Sequence, residues 1–252
     1  MKLMSRAARS LPALAATALV LAACASATTI PTAASPDPRN PAAVVATYRP
    51  DIDSDHFVGL IDNPYMPLEP GRVMIYEGSG ERVEVTVIDE TRLVMGITVT
   101  VVRDQVFRDG SLIEDTFDWF AQDRDGNVWY FGEETRRVEN GQPTTRAGSW
   151  EAGKDGAQPG IVMLAQPEKG DAYRQEYLPG EAEDMGRVRA TGESVEVPLG
   201  SFTEVLVTED FTPLEPGIVE LKYYAPGIGL LMEETITGGS KGIQLIELRE
   251  GD

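Results

Sequence analysis

The stretch ERVEVTVID, residues 81–89, decides the fold. Val83, Val85 and Val87 fall on one side of an extended chain while Arg82, Glu84 and Thr86 fall on the other. A period of two is what a half-buried antiparallel strand requires. The next apolar stretch, GITVTVVRDQVF at residues 96–107, continues it, with Ile97, Val99 and Val101 alternating with Thr98 and Thr100. Beyond it come Asp109-Gly110, Asp125-Gly126 and Asn140-Gly141, at intervals of 16 and 15 residues. Such pairs tolerate positive φ at both positions, the need of a type I′ hairpin turn. The spacing predicts a meander of strands about 10–13 residues long, roughly 35–40 Å each, which must twist and coil.

Between these turns the aromatics divide between faces. Phe117 and Trp119 oppose Phe120, and Val128 and Tyr130 oppose Trp129 and Phe131. Both faces are partly apolar, which predicts a curved sheet whose concave side is covered or lines a cavity. A second block of extended stretches, from residue 171 to 250, includes Val205 and Val207 alternating with Leu206 and Thr208, and a turn at Pro226-Gly227. No window carries a sustained 3.6-residue apolar stripe with helix caps. PLEPG occurs at Pro67–Gly71 and at Pro213–Gly217, each time before an extended stretch ending in tyrosine, and turn chemistry accounts for it without a duplicated half-domain. The expected fold is all-β: an antiparallel meander of long twisted strands forming a half-barrel or open barrel, with a long irregular lid-like loop over residues 148–186.

At the N-terminus, Lys2, Arg6 and Arg9 precede an uncharged apolar run from Leu11 to Ala23. This is the pattern of a secretory leader, and it is shorter than the roughly 20 residues of a transmembrane helix. Leu21-Ala22-Ala23-Cys24 resembles the lipobox of bacterial lipoproteins, which implies cleavage before Cys24 and acylation of its sulfur and new amino group. Several acyl chains anchor stably where one is marginal. The expected organisation is therefore a lipoprotein signal peptide at 1–23, a lipid anchor and flexible tether at 24–47, and a single β domain at 48–252. The tether is rich in Ala, Thr and Pro and would hold the domain on the order of 25 Å from the membrane. Ala25 after the Cys implies the outer membrane in a diderm source; a monoderm source would place the protein on the outer face of the plasma membrane.

The whole chain carries a net charge of −19, which becomes −22 once the three leader cations are gone. That surface repels phosphate backbones and anionic headgroups, so nucleic acid is excluded as a partner and membrane contact falls to the acyl anchor. Cys24 is the only cysteine, so no internal disulfide forms and stability must come from the core.

The strings NPYMPLEPG, GNVWYFGEE, GSWEAGKDGAQPGIVM, DAYRQEYLPGEAEDM and YYAPGIGLLMEE resemble a family of bacterial exported proteins, many of them lipoproteins. The resemblance spans residues 63–246 and implies an exported address; it brings no activity and no catalytic residues. The YYAPGIGLL hairpin is also similar to one in envelope proteins of the LolA and LppX type, which implies an open curved sheet whose concave side holds acyl chains.

Candidate chemistry is sparse. An acylated Cys24 is no nucleophile, and His56, the only histidine, falls beside the tether, outside the expected strand scaffold. Zinc lacks its Cys and His ligands. Calcium wants six to eight hard oxygens, and Asp51, Asp53 and Asp55 space three carboxylates at alternate residues, without the central Gly and terminal Glu of an EF-hand loop. Asp123–Asn127 offers a similar cluster, better used as a hairpin turn. Calcium is thus the one cofactor left open. The stretch 148–186 carries Gly153, Gly156 and Gly160 outside the order of a phosphate loop. It also gathers Glu151, Asp155, Glu176 and Glu183 as candidate acid–base carboxylates, and Trp150, Tyr173 and Tyr177 as candidate ligand-stacking aromatics. A loop this long in a compact β domain covers or lines something. Three readings stand: a lipid-anchored binding or structural module for an apolar or amphipathic small molecule or an envelope protein, a carboxylate hydrolase of an envelope polysaccharide, and a calcium-stabilised interaction protein.

Overall fold

The computed structural model describes residues 48–238 and 242–251. The leader, Cys24 and the tether lie outside the described residues. In chain order the strands are β1 (Phe57–Val58), β2 (Val73–Gly78), β3 (Glu81–Val94), β4 (Ile97–Arg108), β5 (Ser111–Asp123), β6 (Val128–Glu139), β7 (Gln142–Thr145) and β8 (Trp150–Glu151). They continue as β9 (Gln158–Met163), β10 (Ala172–Arg174), β11 (Glu176–Tyr177), β12 (Met185–Val197), β13 (Gly200–Phe211), β14 (Val219–Ala225), β15 (Gly229–Thr237) and β16 (Gly242–Arg249). The principal strands, β3 to β6 and β12 to β13, have the expected length, and every pairing is antiparallel. The sheet runs β10-β12-β13-β14-β15-β16-β2-β3-β4-β5-β6-β9-β11 and curls into a nearly closed barrel with one unsealed seam.

The turns show why. Asp109-Gly110 and Asn140-Gly141 have positive φ at both residues, as expected of type I′, and Ser79-Gly80 and Met95-Gly96 do the same. Asp125-Gly126 differs: only Gly126 has positive φ, and Asp123 pairs with Asn127 across a three-residue loop. Both PLEPG copies end in the same turn, with Arg72 N donating to Glu69 O and Ile218 N to Glu215 O. The repeat is turn chemistry.

The register sorts side chains to the two faces. Met74, Val85, Asp104, Thr116 and Thr135 are successive partners from β2 to β6, and so share the inner face. Tyr76, Phe120, Tyr130, Leu206, Leu231 and Leu245 are fully buried among them. The concave side is thus a filled core, not a lined groove. The outer face of β4 to β6 is apolar too: Trp119, Ala121 and Phe131 are buried there, and Phe57 of β1 packs edge-on against Phe131 and Trp129.

The stretch 148–186, expected as an irregular lid, contains four short strands and forms barrel wall. Within it, residues 172–177 make a strap across the seam. Ala172–Arg174 pairs with β12, and two residues later Glu176–Tyr177 pairs with β9 on the opposite edge. Two glycines seat the strap. A methyl at Gly160 would overlap the backbone of Arg174 and Gln175, and one at Gly186 would reach 2.5 Å from the Tyr173 ring. We expect Gly160→Ala to destabilise the protein by about 1–3 kcal/mol in chemical denaturation, with strap residues the first to become protease-sensitive. Gly141→Ala, which meets only open space, should cost about 1 kcal/mol through its positive φ alone. Equal costs at the two sites would contradict this account of the strap.

Candidate functional site

The unusual chemistry of this barrel lies inside it. Six carboxyl side chains are buried on or beside the inner face: Asp104, Asp118, Glu176, Asp184, Asp210 and Glu233. One ammonium, Lys222, is buried with them. Its Nζ lies 2.9 Å from Asp210 Oδ2 and 3.8 Å from Glu233 Oε2. Thr208 donates to Asp210 Oδ1 at 2.9 Å, and Gln175 of the strap donates to Asp210 Oδ2 at 3.0 Å. Burial by itself would lower the Lys222 pKa, but Asp210, Glu233, Tyr224 and Glu220 outweigh it and hold the ammonium well above its ordinary range. Lys222 stays charged.

A second group sits on β4 to β6. The Tyr130 hydroxyl lies 2.6 Å from Asp118 Oδ1 and 3.0 Å from Glu133 Oε2. A phenol has one hydrogen to donate. Both contacts are hydrogen bonds only when one of the two carboxyls carries a proton. Asp104, diagonal to Asp118 across β4 and β5, has a buried Oδ1 with no hydrogen-bond partner. Burial pushes its carboxyl well above the usual carboxylate range, and Asp118, Glu114 and Glu233 push it further. Burial likewise raises Glu233 to about 8, against the pull of Lys222, with Glu220 and Asp210 adding to the rise. Glu220 is raised for the same leading reason.

The candidates read from sequence occupy separate environments. Glu151 pairs with Arg92 at 2.5 Å and Lys154 at 2.8 Å. Asp155 is exposed at the second position of the Lys154–Ala157 turn, with positive φ. Glu183 accepts the Gly180 N–H at 2.8 Å, and Glu176 is fully buried at the strap, close enough to Tyr130 to raise its pKa. Trp150 is buried edge-on against Tyr130, with ring centroids 5.3 Å apart. Tyr173 lies over Gly186, and Tyr177 packs outside, against Tyr48 and the Arg174 guanidinium.

Asp51, Asp53 and Asp55 are exposed, and Asp53 caps the short 3₁₀ helix Ser54–His56 by accepting from Asp55 N. His56 is nearer the scaffold than expected: it abuts β1, and its Nε2 lies 3.2 Å from Asp125 Oδ2. With Asp123 these form a group whose ligand atoms lie within 4.8 Å. Asp123, however, already accepts from Asn127 N, Asn127 Nδ2 and Trp129 Nε1, so it serves the hairpin. Residues 238–242, GGSKG, spell the G-x-S-x-G of a nucleophile elbow. That motif needs a strand-to-helix turn, and here it joins the antiparallel β15 and β16; Ser240 lies outside the described residues.

No family model and no curated protein matches this chain. Two solved structures are similar to it. A protein described as exported, with a YmcC-like fold, from Bacteroides fragilis is 16% identical with a TM-score of 0.44, over 74% of this chain and 99% of that one. A protein described as a lipoprotein, from Parabacteroides distasonis, is 11% identical with a TM-score of 0.34, over 73% of this chain and 98% of that one.

The raised groups set the pH dependence. A carboxyl whose folded pKa exceeds its unfolded value contributes stability below the unfolded value, and that stability is lost as pH rises through the folded one. For Glu233 the window runs from about 4.3, the ordinary glutamate value, to about 8. We expect Glu233→Gln, which has no such proton to lose, to lose less stability across that window than the wild type, by on the order of 2 kcal/mol. Denaturation curves taken through the window check it; parallel loss in both proteins would contradict the assignment.

Proposed function

We propose that the protein is a lipid-anchored component of the bacterial cell envelope and acts as a binding or structural module. The observation that supports this reading is the use made of residues 148–186. Where a catalytic loop would gather its carboxylates toward one cleft, Glu151, Asp155, Glu176 and Glu183 are spent on an ion pair, a turn, the strap and a loop hydrogen bond. The same residues close the barrel.

The partner is an envelope protein or an apolar or amphipathic small molecule. Aromatic and aliphatic side chains fill much of the interior, and a small molecule would enter it by parting the strap from β9 or β12. The barrel also offers an outer surface for protein contacts, on a chain of net charge −19 tethered at its N-terminal end through Cys24.

Two measurements test the reading. Cys24→Ser should move the protein from the membrane to the soluble fraction; unchanged membrane retention would remove the anchor. Mass spectrometry of a soluble form lacking the leader and carrying Cys24→Ser should reveal an apolar or amphipathic molecule near one per chain. An empty protein would leave only the protein-partner form of the proposal.

A further inference from the structure

Arginines placed over aromatic rings recur on this barrel. Among the described residues Arg92 lies over Trp119, Arg103 over Phe117 and Arg187 over Phe211. Each of these also has a carboxylate: Glu151 at 2.5 Å from Arg92, Asp115 at 2.8 Å from Arg103 and Glu209 at 3.8 Å from Arg187. Arg174 of the strap differs. Its Cζ lies 4.9 Å from the centroid of the Tyr177 ring and 5.7 Å from that of Tyr48, and the two rings meet edge-on with centroids 5.8 Å apart. No carboxylate among the described residues forms an ion pair with it.

The side chain without a carboxylate is also the buried one. Arg92, Arg103 and Arg187 have side chains 37%, 38% and 38% exposed, so water shares in solvating them. Arg174 is 5% exposed, and its Nε and Nη1 are buried with no hydrogen-bond partner. This is the reverse of what burial demands, because an uncompensated ion costs most where water is scarcest. The two tyrosines answer part of that cost. They attract the cation through their π faces, but a ring face offers no oxygen to the N–H bonds that fan out in the guanidinium plane. The place of an anion in that plane is open.

We infer that Arg174 is an anion-binding residue: its unpaired N–H fork takes the carboxylate or phosphate head of an amphipathic molecule, and the Tyr48 and Tyr177 rings pack beside the carbons that follow the head. A planar guanidinium matches either group with paired, charge-assisted hydrogen bonds. On a chain of net charge −19 an anion finds few other places to bind. The position suits an amphipathic molecule, since Arg174 ends β10 and Tyr177 ends β11, the two short strands that a tail would part from β12 and β9. Tyr48 is the wall that can give way to admit the head: it lies outside every strand and makes no hydrogen bond among the described residues. The tail rests on the small-molecule reading above; the anion site does not.

Calorimetric titration of the full chain tests it, in chloride-free buffer at fixed ionic strength, with decyl phosphate, inorganic phosphate and decanol as probes. Decyl phosphate should bind near one per chain, and Arg174→Gln should weaken it at least about tenfold while leaving decanol unchanged. Should that variant fail to fold, Arg174→Lys, which keeps the charge and loses the fork, should fold and still bind decyl phosphate several-fold more weakly than the wild type. Inorganic phosphate bound through Arg174, with decyl phosphate no tighter and decanol not bound, would support the anion site and sink the amphipathic reading. Decyl phosphate and decanol bound alike by wild type and variant would support that reading and overturn the site. Failure of the wild type to bind either phosphate overturns the site as well.

Discussion

One chain segment has to serve both edges of the sheet, and the rest of the structure depends on it. A curled sheet leaves two rows of unpaired backbone groups, and burying them unpaired is costly. Residues 172–177 pair with β12, change sides at Gln175, and pair with β9. Gly160 and Gly186 make room on either side, and the Tyr48, Arg174 and Tyr177 cluster covers the strap from outside. Tyr48 thus rests on the element that closes the barrel.

Closure of this kind puts Glu176 and Gln175 inward and so links the seam to the acids of the interior. The outer ion pairs matter less to stability. Arg103 with Asp115 and Arg136 with Glu134 are partly exposed, and such pairs contribute up to about 1 kcal/mol each. Buried groups are the larger stake. Lys222 has its nearest partner in Asp210, and removing that carboxylate would strand an ammonium in the core. Asp104 has no such cation, and its proton is the cheapest way to remain there.

Much of the fold was legible in the chain. The alternation at Val83, Val85 and Val87 fixed a strand face, and the Asp-Gly and Asn-Gly pairs fixed strand length, because local sterics decide both. Asp125-Gly126 misled on turn type, since three loop residues and an αL glycine satisfy the same pair. The short strands β8 to β11 carry too few residues to show a period, so residues 148–186 read as loop. Sheet closure was hidden for a physical reason: pairing of Glu176 with Pro159 and of Arg174 with Met185 is non-local and leaves no mark on either stretch. The interior acids did leave one. Asp104 is in phase with Val102 and Val106, Asp118 stands between Phe117 and Trp119, and Lys222 stands between Leu221 and Tyr223. A charge at an inward position of an apolar strand is the signal.

The central claim is that the folded barrel holds protons that the unfolded chain gives up, and counting them tests it most directly. Unfolding by denaturant at about pH 7 in weak buffer, followed by pH indicator or by calorimetry in buffers of different ionisation enthalpy, reports the protons exchanged. With Asp104, Glu220 and Glu233 raised in the folded state, unfolding should release at least one proton per chain. No release, or net uptake, would mean that the interior carboxyls are ionised and neutralised by something other than protons, and would contradict the account.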